Sequence, residues 1–118
     1  MKAASFVVLA AALFAGTACN EDTVKECASM QDAMKPLDQG TPTSATVDSV
    51  AAKVASLQLK NQTLSIYAKN YGQTLTVLSN TLKLQEGPNA PDGTADVVKK
   101  NLTKARTDAG DVKRFCAQ

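Results

Sequence analysis

Residues 61–84 read Asn61-Gln62-Thr63-Leu64-Ser65-Ile66-Tyr67-Ala68-Lys69-Asn70-Tyr71-Gly72-Gln73-Thr74-Leu75-Thr76-Val77-Leu78-Ser79-Asn80-Thr81-Leu82-Lys83-Leu84. Leu64, Ala68, Tyr71, Leu75, Leu78 and Leu82 recur at alternating steps of four and three. That rhythm sets all six on one stripe of an α-helix and leaves Lys69, Asn70, Gln73, Asn80 and Lys83 mostly off it. One helix cannot keep such a stripe dry. The neighbouring segments are therefore expected to cover it.

Three segments supply the cover. Glu21 to about residue 35 reads as a helix with Glu21, Asp22 and Glu26 in its first turns, where carboxylates suit the dipole. Val24, Cys27, Met30 and Met34 form its apolar stripe, and Pro36 ends it. A second helix starts after a loop, capped by Thr43 or Ser44. Val47, Val50, Val54 and Leu57 then repeat at three, four and three. Its rhythm can be carried through Asn61 into the 64–82 stripe, giving one central helix of about 43–85. The preferred reading is a break at 58–61, because Leu59 lies off the stripe and Asn61 suits an N-cap. Gly72 is read as allowing close approach of a neighbouring helix beside Tyr71. Glu86 to Gly93 is a loop. Thr94 is expected to cap a last helix, in which Val98, Leu102, Ala105, Ala109, Val112 and Cys116 keep the four–three spacing.

The fold class that follows is all-α, an antiparallel up-down four-helix bundle, with three helices around one long central helix as the alternative. In the up-down arrangement the start of the first helix and the end of the last lie side by side. Cys27 and Cys116 sit at those two places. A bridge between them closes about 90 residues and contributes ~4 kcal/mol on the chain-entropy account.

The 118-residue chain divides into residues 1–18 and a domain of residues 19–118. Met1-Lys2 begins a positive n-region, Ala3 to Ala15 is apolar, and Gly16-Thr17-Ala18 is a small-residue stretch. This is the anatomy of a secretory signal. The apolar run would span about 20 Å as a helix, short of a hydrocarbon core of ~30 Å. Small residues directly before Cys19 resemble the lipobox of bacterial lipoproteins, with Gly16 where that pattern prefers leucine. The resemblance implies lipid on Cys19 and a place in the cell envelope, the outer membrane being the commoner destination. The cysteine count fits: in an oxidising compartment, lipidation of Cys19 leaves Cys27 and Cys116 as one pair.

Composition narrows the chemistry. The chain has no histidine, which removes the commonest general base and metal ligand. It carries no CxxC, GxSxG, phosphate-binding loop or Gly-rich dinucleotide turn. No catalytic residue, metal site or cofactor is expected. The net charge of +2 and 4% aromatic content give no basis for a nucleic-acid surface. The last helix is basic; Lys99, Arg106 and Lys113 are expected to meet acidic residues of the first helix, Glu21, Asp22, Glu26 and Asp32. Tyr67 and Tyr71, one turn apart, are the candidate face for a ligand or partner. The leading functional reading is a non-enzymatic envelope lipoprotein acting as a structural or protein-interaction module. The alternative is a secreted or periplasmic bundle holding an apolar small molecule between helices, against Tyr67, Tyr71 and Leu75.

Overall fold

A computed structural model of the chain describes residues 21–118. Cys19 and the signal-like segment lie outside the described residues. Four α-helices follow one another: α1, Glu21–Met34; α2, Ser44–Ser56; α3, Gln62–Glu86; and α4, Thr94–Cys116. A short 3-10 turn, Lys35–Leu37, extends α1. They pack as an antiparallel up-down bundle, with α3 against α4 and α2 against α3 as the largest interfaces. All six stripe residues of α3 are buried in one core with Met30, Val47, Val50, Val98 and Val112.

The break between α2 and α3 is real, and its cause is a change of period. Leu57, Leu59 and Asn61 are half-buried, whereas Gln58 and Lys60 are exposed. Side chains alternate in this way only along extended backbone. Leu57 accordingly has ψ 136°, and both leucines pack against the core. A continued helix would have turned Leu59 to solvent. Asn61 then caps α3, its side-chain oxygen accepting from the Leu64 N–H at 2.9 Å. Glu26 of α1 pins the same stretch, accepting from the Lys60 N–H at 3.0 Å and the Asn61 N–H at 3.1 Å.

Several local expectations are corrected. Thr23, not Val24, turns into the core; Val24 is exposed. Thr43 is the cap of α2, accepting from the Thr46 N–H at 3.2 Å, while Ser44 binds Glu86. Thr94 does not cap α4 by accepting a hydrogen bond: its hydroxyl donates to the Pro91 carbonyl at 2.6 Å. Gly93, at φ 87° and ψ −5°, occupies the turn position before α4 that favours glycine. The basic side of α4 does not meet α1. Arg106 donates to the carbonyls of Leu37 and Gly40, and Lys113 reaches Asp38. These partners lie in the connection after α1, because the descending α4 passes that connection at the level of Arg106.

Gly72 is the largest departure. No neighbouring helix approaches it, and a Cβ built there meets nothing within 4 Å. Glycine inside a helix is destabilising relative to alanine by roughly 0.5–1 kcal/mol. Gly72→Ala is therefore expected to raise stability by about that amount, measured as a higher urea midpoint with an unchanged m-value.

The bundle closes covalently. Cys27 and Cys116 form a disulfide with their Cα atoms 5.7 Å apart, which is ordinary bridging geometry.

Candidate functional site

Polar cross-links between helices fix which faces remain open. On the α2–α3 side, Ser79 donates to Asp48, which also pairs with Lys83 at 3.2 Å. Those contacts, Ser79 first, hold the Asp48 carboxyl below its ordinary value. At the far end of α3, Glu86 accepts from the Ser44 hydroxyl at 2.7 Å and its N–H at 2.8 Å. The Ser44 hydroxyl, then its N–H, depress the Glu86 carboxyl too. Between α3 and α4, buried Asp108 accepts from the Thr74 hydroxyl at 2.6 Å and from Lys104 at 3.1 Å. No buried side-chain nitrogen or oxygen among the described residues lacks a partner. These cross-links are structural. Each carboxylate is already committed to hydroxyls, N–H groups or a lysine.

The outward side of α3 is different in kind. Ile66, Val77 and Leu84 are 60%, 51% and 55% exposed. Successive residues advance by 100°, so these three fall on one stripe, opposite the buried Leu64–Leu82 stripe. Gln62, Asn70, Gln73, Thr76 and Asn80 surround them, with Lys69 within that face and Lys83 at its edge. Beside it an open groove of about 830 Å³ runs between α2 and α3, walled by Ala51, Ala55, Ala68, Gly72 and Thr76. Exposed charge is instead concentrated on α1 and α4. A helix face with large apolar side chains and little charge has the composition of an interface core.

The two tyrosines separate. Tyr71 is 1% exposed and belongs to the core with Leu75. Tyr67 is half-buried, its ring 6.0 Å from that of Phe115 at 59°. They do not form one joint platform. Tyr71 instead lines a polar pocket of about 300 Å³ with Leu37, Asp38, Gln39, Arg106 and Lys113. Its phenol is pushed up to about 12, first by burial and then by Asp38 and Asp108.

That shift makes a pH prediction. Below pH 10.0, the ordinary tyrosine value, both folded and unfolded chains keep the proton and nothing is lost. Between there and about 12 the unfolded chain ionises while the folded one does not, so stability falls as pH rises. Near-ultraviolet absorbance titration of Tyr67→Phe reports Tyr71 alone and is expected to show ionisation near 12, coincident with loss of helix. Tyr71→Phe is expected to remove this part of the alkaline loss.

Among the described residues no group of histidine, cysteine, aspartate and glutamate could hold a metal ion, and no helix is long and apolar enough to cross a membrane. Comparison with known proteins adds no assignment. No protein-family model matches the chain, and neither a curated protein nor a solved structure matches it significantly.

Sequence reading missed the α3 outward face and the Tyr71 pocket. Ile66, Val77 and Leu84 did carry a signal: steps of eleven and seven, which return to one side of a helix. The stronger Leu64–Leu82 stripe masks that signal, because it accounts for the helix by itself. The pocket had no local signal, since Asp38, Tyr71, Arg106 and Lys113 come from three segments.

Proposed function

We propose that this protein is a non-enzymatic envelope lipoprotein: a disulfide-closed bundle tethered by lipid on Cys19, acting as a structural or protein-interaction module. The observation that carries the reading is cysteine parity. Cys27 and Cys116 are bonded to each other, so Cys19 is the one cysteine of three left for a different modification. The lipobox-like Gly16-Thr17-Ala18 before it supports lipid as that modification. α1 begins at Glu21, so a lipid on Cys19 would hold the bundle close to the bilayer surface. The outward side of α3, apolar and low in charge, supports the second half of the reading. It would be offered to another envelope protein, and the outer membrane is the proposed address.

The test is fatty-acid labelling and detergent-phase partition of the full chain in a bacterial host, wild type beside Cys19→Ser. The reading requires label and detergent-phase recovery for the wild type. The variant should be unlabelled and aqueous, with its helicity and its Cys27–Cys116 bridge intact. Equal aqueous partition of the two proteins would remove the lipoprotein assignment.

A further inference from the structure

The pocket at Tyr71 is built from groups that the fold leaves with spare capacity. Tyr71 is 1% exposed, yet its hydroxyl has no hydrogen-bond partner among the described residues. Buried phenols ordinarily find one. No sealed polar atom lacks a partner among those residues, so the small exposed remainder of Tyr71 includes its hydroxyl, and the opening it lines is this pocket. Arg106 stands at the wall. Its Nε donates to the Leu37 carbonyl at 3.3 Å and its Nη2 to the Gly40 carbonyl at 2.5 Å. These carbonyls fix the guanidinium without neutralising it, and Arg106 has no ion-pair partner among the described residues. Lys113, also on the wall, pairs with the Asp38 carboxylate at 3.4 Å. The pocket therefore carries one positive charge in excess. Its unused hydrogen-bonding groups are mainly donors: the phenol O–H, two Lys113 N–H and the remaining guanidinium N–H groups.

We propose that this pocket binds the carboxylate of a small monovalent organic acid. Its charge is balanced by Arg106 and Lys113 against Asp38, and one oxygen accepts from the Tyr71 hydroxyl. The volume of about 300 Å³ suits a ligand of a few heavy atoms. Burial keeps the phenol protonated up to about pH 12, so it remains a donor. Asp38 and Asp108 both bear on that phenol, which disfavours a dianion such as phosphate. The proposal is independent of the envelope reading, because it uses neither Cys19 nor the outward side of α3.

The test is titration of the ¹⁵N-labelled, bridge-intact protein with sodium acetate and sodium benzoate, against sodium chloride and phosphate at matched ionic strength. Saturable shifts are expected for amides 37–40 and 105–113 and for the Arg106 Nε–H, with either carboxylate and not with chloride or phosphate. Tyr71→Phe is expected to weaken carboxylate binding about tenfold. Because that hydroxyl has no protein partner to orphan, the same variant should keep its unfolding midpoint. Arg106→Gln is expected to abolish saturation. Linear shifts shared with chloride, saturation by phosphate alone, or equal carboxylate affinity in wild type and Tyr71→Phe would each overturn the proposal.

Discussion

Replacing both bridging cysteines, Cys27→Ser with Cys116→Ser, is expected to lower stability by about 4.5 kcal/mol. The bridge joins residues 89 apart in sequence. A loop of that length removes a large share of the unfolded chain's conformational freedom, and the loss rises only slowly with further length. Domains of this size have total stabilities of about 5–15 kcal/mol. The double variant should therefore lose between about a third and nearly all of its stability. The double change is the right variant, since one serine alone would leave an unpaired thiol open to disulfide exchange between molecules. Urea unfolding followed by circular dichroism measures the effect, and reduction of the wild type should reproduce it. A loss under ~1 kcal/mol would mean that α1 and α4 stay docked in the unfolded ensemble, so that the bridge constrains little.

The second large effect is expected at Leu75→Ala, at about 3–4 kcal/mol. Leu75 is fully buried midway along the α3 stripe. Truncation removes the transfer free energy of its methyl groups and leaves a cavity that flanking helices cannot close, because Asp108–Thr74 and Asp48–Ser79 hold α4 and α2 in place around it. Ile66→Ala on the opposite side of the same helix is the control. Ile66 is 60% exposed, and its truncation should change stability by no more than about 0.5 kcal/mol. Equal losses at the two positions would contradict the assignment of core and outward faces.

Much of this architecture was legible from periodicity. The four–three spacing placed the core of α3 and α4, and composition placed the loops around Pro36 and residues 86–93. The position of the two cysteines followed from up-down topology. The break at 58–61 was legible only in part. Leu59 off the helical stripe was a true sign, but the period-2 burial of Leu57, Leu59 and Asn61 emerges only with core contacts in view. What failed were inferences resting on a single residue. Gly72 suggests a helix crossing because glycine permits one, and permission is not contact. Val24 lost the core position to Thr23 through a small rotation of α1, which periodicity cannot fix to within one residue. Helix order alone points Arg106 and Lys113 at acidic α1. The stagger between α1 and α4 places them instead at the 37–40 connection, where backbone carbonyls, invisible to charge counting, are their partners.

The anchor and the bridge are joined in one claim, and intact mass of the protein from its native host tests both together. The mass expected is that of residues 19–118 plus acyl and glyceryl groups, short by the two hydrogens of the Cys27–Cys116 bridge, which reduction restores. A bare 19–118 mass, or two alkylatable thiols at Cys27 and Cys116 before reduction, would contradict the account.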